Sequence, residues 1–404
     1  MKLLRQQKEQ INSKKKFKLQ VDWLLFFATL TLVIFGVFMV HSASSVSAEL
    51  HYKDEYFFVT KQIVGAVIGL VCCIVLYFVD YHFLHKIKWV VLIGSIILLA
   101  LVFVPKIGVE NYGAKRWLNL GVTTIQPSEI AKFGFVIFAA STLSKNYNKV
   151  KTFKGILPVI IAGVVICGLI IIEPNMSITM CVGITLVAML FVGGISFKHF
   201  LMLAIPAICL VPLLIVIEPY RLKRLVAFLD PWSSAQGEGF QLVESLYSLG
   251  AGGFFGVGYG NSRQKYLFLP FAESDFIFSI IGEELGFAGC LFVIIVFVII
   301  VVQAIKIALR AKDRFGCLLA SGIASVIAVQ VIINIAVVTG SIPPTGLPLP
   351  FISAGSTSLV VFMSAIGILL NINKNSNSHE RLINFNARKL ILTKSQARRL
   401  KEAK

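Results

Sequence analysis

Charged side chains in or beside apolar segments are costly to desolvate, so each one in this sequence calls for a chemical reason. Glu129 and Lys132 open an apolar run at i, i+3 spacing, which puts them on one helix face and lets them pair. A structural ion pair closing a helix mouth and a pair that handles protons or phosphate fit that spacing equally well. Asp275, in Phe271-Ala-Glu-Ser-Asp275-Phe-Ile-Phe, stands where a long polar segment enters another apolar run. A carboxylate there can cap the helix or act as a general base. Glu283 and Glu284 follow two turns later, and two acids in an apolar helix need a partner such as Lys132 or an arginine, or else a proton.

A second set is cationic. Lys115 and Arg116 lie in one polar segment, and Arg221, Arg224, Arg263 and Lys265 in another. A guanidinium fork matches phosphate oxygens, so the set suits a pyrophosphate or another anion, with lipid headgroups as the plainer reading. The glycine-rich run Gly250–Gly260 contains no GxGxxG and follows no strand, so a nucleotide site is not indicated; close backbone packing or a re-entrant segment is expected instead. His82 and His85 form an HxxH with no patterned partner and read as an interfacial loop. The seven cysteines lie in or beside apolar stretches without CxxC spacing and read as packing residues.

The elements that position these groups follow from composition. The 404 residues are 57% hydrophobic and 14% charged, against about 25% charged in a soluble domain. Most of the surface therefore faces lipid. Ten spans are expected, near 22–42, 57–79, 89–105, 128–144, 155–172, 177–195, 199–217, 276–305, 316–340 and 357–372. The first is an uncleaved anchor. The chain divides into a basic segment 1–21, a ten-helix all-α membrane domain 22–372 with a large outer loop 218–275 between the seventh and eighth helices, and a basic tail 373–404. With the N-terminus inside, 27 of the 38 Lys/Arg fall on cytoplasmic segments, which places both termini in the cytoplasm. The formal net charge of +18 is then a membrane anchor. Without interleaved aromatics it does not indicate nucleic acid.

Long motifs run from about Val40 to Leu370: Met39-Val-His-Ser-Ala-Ser44, Gly113-Ala-Lys-Arg-Trp-Leu-Asn-Leu, Gln126-Pro-Ser-Glu-Ile-Ala-Lys132 and Tyr220-Arg-Leu-Lys-Arg224. Further on come Asp230-Pro-Trp, Gln241-Leu-Val-Glu-Ser-Leu-Tyr, Gly256-Val-Gly-Tyr-Gly-Asn-Ser-Arg-Gln-Lys265, Asp275-Phe-Ile-Phe-Ser-Ile-Ile-Gly-Glu-Glu284 and Leu349-Pro-Phe-Ile-Ser353. The sequence carrying them resembles the SEDS family (FtsW, RodA and SpoVE), and most resembles the FtsW/SpoVE branch.

The resemblance implies a peptidoglycan glycosyltransferase that polymerises lipid II into glycan strands at the outer face of the bacterial cytoplasmic membrane, in division or spore-wall synthesis. It implies Asp275 as the essential acid and roles in activity for Glu129 and Lys132. Arg221, Arg224, Arg263, Lys265, Lys115, Arg116, Gln241, Glu283, Glu284 and Ser353 are the expected substrate contacts. It also implies a class B penicillin-binding protein as partner, within the division or elongation machinery. No cofactor is certain; a divalent cation, Mg2+ or Mn2+, between Asp275 and the pyrophosphate stays open. Three departures from the family pattern stand out: His41 for Tyr, Glu173-Pro-Asn-Met-Ser177 for Glu-Pro-Asp-x-Gly, and Ala354-Gly-Ser356 for Tyr-Gly-Gly. Two other readings remain, a lipid II flippase and a non-catalytic division scaffold. The crowding of polar motifs on the outer side favours chemistry over transport, and a scaffold leaves Asp275 and Lys132 without a purpose.

Overall fold

The computed structural model describes residues 21–105, 107–111, 114–119, 124–146, 149–203, 205–206, 212, 219–266 and 268–376. Expectations for 1–20 and for 377–404 lie outside these residues, as does most of the seventh expected span, of which helical backbone is described at 197–203.

The other nine expected spans are helices. They are α1 (Trp23–Tyr52), α2 (Phe57–Phe78), α4 (Lys88–Leu101), α5 (Pro127–Lys145), α6 (Phe153–Ile172), α7 (Met176–Gly193), α10 (Ile277–Arg310), α11 (Arg314–Val338) and α12 (Ser356–Ser376). A short α3 (His82–Lys86) joins α2 to α4, and α8 (Pro219–Leu229) and α9 (Phe240–Gly252) lie within the large loop. Asp22 caps α1 by accepting from the Leu25 amide at 3.1 Å. The last helix runs to Ser376, four residues past the expected boundary of the membrane domain.

Seven of these helices are long and apolar enough to cross a bilayer, and α4 is a shorter apolar helix. On α2 the outward face carries Val64, Val67, Ile68, Val71 and Val75, all exposed. An exposed stripe of that kind is stable only against lipid. In contrast, α5 is buried from Pro127 to Leu143 except at Ile130. A helix walled by protein needs no lipid-facing stripe, which is why it can carry Glu129 and Lys132.

The centre of the bundle is α5, α10 and α11. Helix α11 packs on α5, α7 and α10, and α10 also packs on α1 and α9. Within the loop before α5 the chain forms a small antiparallel sheet that the helical reading did not include: β1 (Gly108–Asn111), β2 (Ala114–Asn119) and β3 (Thr124–Ile125). Val109 pairs with Trp117, and Leu118 with both Gly108 and Ile125. Buried Leu118 gives the sheet an inner face.

Helix α10 is broken at Gly286, where φ is 68° and ψ is −164°. The glycine-rich segment enters the break. Val257 and Gly258 donate to the carbonyls of Glu283 and Glu284 at 2.9 and 3.0 Å, and Phe287 and Ala288 donate to Gly253 and Phe254 at 2.9 and 3.1 Å. A Cβ at position 286 would stand 2.4 Å from the Gly256 nitrogen. Gly286→Ala should lower stability by about 2–3 kcal/mol through the disfavoured backbone and this clash. Thermal unfolding in detergent measures it, and a wild-type melting temperature would show that the break does not depend on glycine.

Candidate active site

Four connections meet at one end of the bundle: the sheet before α5, the α6–α7 turn, the large loop before α10, and the segment 339–355 between α11 and α12. Arg116 on β2 donates through Nε to the Glu173 carbonyl at 3.2 Å and through Nη2 to the Pro174 carbonyl. Ser177 Oγ donates to the Thr345 carbonyl. Arg224 on α8 donates to the Pro344 carbonyl at 3.4 Å and faces Glu238 at 3.8 Å. Ser353 Oγ donates to the Ser274 carbonyl at 2.5 Å and accepts from the Leu349 amide at 2.7 Å. The odd-numbered connections between spans thus gather apart from the even-numbered connections at Asp80, Lys145 and Asp313, as alternate crossings of a membrane require.

Beneath these loops lies a buried ionic network. Lys132 Nζ is 3.0 Å from Glu129 Oε1, with both side chains 0% exposed, and it also donates to Gln330 Oε1 on α11. Glu129 Oε2 accepts from Ser358 on α12 at 3.0 Å. The Gln330 amide nitrogen donates to the Pro348 carbonyl at 2.9 Å. One turn on, Asn334 donates to the Asp275 and Leu347 carbonyls, each at 2.7 Å. From α2, Gln62 donates to the Ser353 carbonyl at 3.2 Å and accepts from the Gly355 amide at 3.3 Å. Gln62, Gln330 and Asn334 are positioning residues that the sequence reading missed. The signal was present in α11: two amides at i, i+4 in an otherwise apolar helix.

Asp275 does not cap α10. The residue at the N-cap is Phe276, which makes no side-chain capping bond. The half-buried Asp275 carboxylate instead lies beneath the proline-rich turn, and a Cβ at Gly346, where φ is 77°, would stand 3.5 Å from its Oδ2. Its pKa is raised to about 7, chiefly by burial and also by the nearby Glu273 charge, against the opposing pull of its own backbone amide, Arg224 and Arg116. Phe271 and Phe351, on either side of this junction, hold positive φ of 56° and 66°, a strain that surrounding contacts must support.

Glu173 is 0% exposed. Neither carboxylate oxygen has a hydrogen-bond partner among the described residues, and burial lifts its pKa to about 8 against the opposing pull of Arg116. Asn175, which stands for the family's Asp, accepts from the Ile178 amide at 3.3 Å and caps α7. Asn and Asp both serve there, which accounts for the substitution. His41 stacks on Tyr56, with ring centroids 5.4 Å apart, and Ser356 donates to the Lys61 carbonyl at 3.1 Å.

Four of the remaining expected contacts, Glu283, Glu284, Arg263 and Lys265, form a separate group around the α10 break. Glu283 accepts from Ser248 at 3.2 Å, from Ser262 at 2.5 Å and from the Arg263 amide at 2.8 Å. Glu284 accepts from Ser42 at 2.6 Å and from the Ser262 amide at 3.3 Å, and lies 3.8 Å from Lys265 Nζ. These two carboxylates anchor the glycine-rich loop, so neither pairs with Lys132 as the sequence allowed. Lys265 is buried with them and Arg263 is exposed. Lys115 is exposed on β2, Gln241 is half-buried in the first turn of α9, and Arg221 lies on α8.

Among the described residues no group of three or more His, Cys, Asp or Glu could hold a metal by itself. Asp275 would be the one carboxylate ligand of an Mg2+ ion that took its remaining ligands from substrate phosphates and water. Such an ion would supply positive charge toward a pyrophosphate.

Fold and site define a polytopic helical membrane protein with an acid, a buried lysine network and arginines gathered at one end. The FtsW/RodA/SpoVE cell cycle protein profile matches residues 22–378, and the chain belongs to that family. It is 39% identical to the stage V sporulation protein E of Bacillus subtilis, over 89% of this chain and 98% of the relative. Identity is 40% to a probable peptidoglycan glycosyltransferase FtsW of Trichlorobacter lovleyi, over 89% and 95%. Among solved structures, one described as coordinating polymerization and crosslinking by a peptidoglycan synthase complex superposes with a TM-score of 0.74 at 26% identity, over 88% and 98%. The rod shape determining protein RodA of Thermus thermophilus shares the fold, with a TM-score of 0.66 at 24% identity over 88% and 97%.

Replacing Lys132 by Met strands a buried carboxylate and should lower stability by about 3–5 kcal/mol. Adding Glu129→Gln should recover most of that loss. Unfolding in detergent reads both, and a Lys132→Met protein as stable as wild type would show that water reaches the pair.

Proposed function

We propose that this protein polymerises lipid II into glycan strands at the outer face of the cytoplasmic membrane. The observation that carries the reading is Asp275, which is free of any capping role, half-buried, and under the influence of Arg116 and Arg224. The names of the relatives and the similarity to the synthase complex support the same activity.

The chemistry follows from the groups present. Asp275 takes the proton from the acceptor sugar hydroxyl as its oxygen attacks the anomeric carbon of the donor. The bond from that carbon to the pyrophosphate oxygen breaks, and the electron pair leaves with the undecaprenyl pyrophosphate. Arg116 and Arg224 meet the charge that develops on the leaving group. One base and a good leaving group suffice for a single inverting displacement, so a second catalytic carboxylate is not required. Glu129 and Lys132 act from below: through Gln330 they fix the turn that lies over Asp275. Arg263, Lys265, Glu283 and Glu284 shape the glycine-rich wall, and Arg221, Lys115, Gln241 and Ser353 complete the expected surroundings.

The Asp275 end faces outward and both termini are cytoplasmic, a reading supported by the lysine and arginine distribution. The partner is a class B penicillin-binding protein that cross-links the strands, a reading supported by the similarity to the synthase complex.

The test is polymerisation of labelled lipid II by the purified protein with that partner, any glycosyltransferase domain of the partner being inactivated. Wild type should give long strands, and a folded Asp275→Ala protein should lose about 10²–10⁴-fold in rate, the usual contribution of a general base. Equal product from both would remove Asp275 from the reaction. Movement of lipid II across vesicles without product would make the protein a flippase.

A further inference from the structure

At the end of the bundle away from Asp275, the α2–α3 corner, the last turn of α5 and the start of α11 enclose an open cavity of about 450 Å³. One wall satisfies its own charges. Asp313 accepts from Tyr81 Oη at 2.5 Å and from the Gly316 amide at 2.7 Å, and lies 2.7 Å from His82 Nε2. The other His82 nitrogen lies 2.7 Å from Asp80.

The rest of the lining includes two cations, Lys145 from α5 and Arg314 from α11, together with His85 from α3 and Ser144. Arg314 donates to the Gly193 carbonyl at 3.2 Å, which fixes its direction. His85 Nδ1 is 2.7 Å from Ser141 Oγ. With Nδ1 accepting from that hydroxyl, Nε2 carries the proton and can donate. The His85 pKa is held below its ordinary value by burial and by the charges of Lys88, His82 and Lys145. Among the described residues no carboxylate forms an ion pair with Lys145.

We propose that this cavity binds the phosphodiester headgroup of an anionic phospholipid, with the phosphate between Lys145 and Arg314 and with His85 as a further donor. Lipid is favoured over a soluble anion by position. The cavity opens between membrane-spanning helices, Phe315 contributes an apolar surface, and Phe83 and Trp89 on the adjoining helices are exposed as interfacial aromatics are. Basic pockets between helices at this level suit acidic headgroups. The consequence is mechanical. Helix α5 carries Lys132 about 20 Å from Lys145, and α11 carries Gln330 about 24 Å from Arg314, at 1.5 Å per residue. A headgroup bridging Lys145 and Arg314 ties together the far ends of the two helices that hold the proline-rich turn.

The test uses the full-length protein in detergent, with melting temperature followed against added short-chain phosphatidylglycerol, phosphatidylcholine or inorganic phosphate. Phosphatidylglycerol should raise the wild-type melting temperature, and the other two should not at equal concentration. Lys145→Ala should melt as wild type without lipid and need about tenfold more phosphatidylglycerol for the same shift, the loss of one charge-assisted hydrogen bond. Lys145→Arg should keep the response. Equal responses of wild type and Lys145→Ala, or an equal effect of phosphatidylcholine, overturns the proposal. An equal effect of inorganic phosphate overturns the lipid assignment in favour of a soluble anion.

Discussion

An ammonium group held in a helical bundle must find acceptors there, because neither lipid nor packed side chains can solvate it. Lys132 meets that demand with Glu129 on its own helix and Gln330 on α11. Each acceptor then needs its own second partner. Glu129 takes a hydrogen bond from Ser358 on α12, and the Gln330 amide spends its donor on the Pro348 carbonyl. One buried charge thereby links three helices and adds a hold on the proline-rich turn at Pro348. The orientation of the active site follows from satisfying that charge.

The turn is where structure becomes chemistry. Proline-rich backbone has few amide donors of its own, so its carbonyls are held by side chains reaching from the helices below. Asn334 bonds the Leu347 carbonyl and, with the same amide group, the Asp275 carbonyl. Ser353 joins the other flank to Ser274. Asp275 is therefore positioned through backbone atoms on both sides, and its carboxylate is left available. A helix cap would have spent that carboxylate on amides and lowered its pKa. Here burial raises it toward neutrality, the range in which a carboxylate can take a proton from a hydroxyl with useful driving force.

Much of this was legible in the sequence because hydropathy and loop charge act over long stretches. Nine of the ten expected spans are helices within the described residues, and the pairing of Glu129 with Lys132 follows from i, i+3 spacing. What escaped the sequence depends on contacts between distant segments. Glu283 and Glu284 could have paired with Lys132 by chemistry alone, but the break at Gly286 gives them to the glycine-rich loop instead. Gln62, Gln330 and Asn334 carry no charge to mark them in the sequence, although an amide buried in an apolar helix also needs hydrogen-bond partners. The small sheet lay in a short, irregular segment whose strands alternate too briefly to register.

The most direct test of this account is the pH dependence of lipid II polymerisation by the wild-type protein with its partner. A general base must be deprotonated to act, and the Asp275 pKa is raised to about 7. The rate should therefore climb with pH along a single limb with its midpoint near that value, and the folded Asp275→Asn protein should lack the limb. A rate already level from pH 5 upward would place the carboxylate pKa in its ordinary range and contradict the claim that the loops above Asp275 tune it for catalysis.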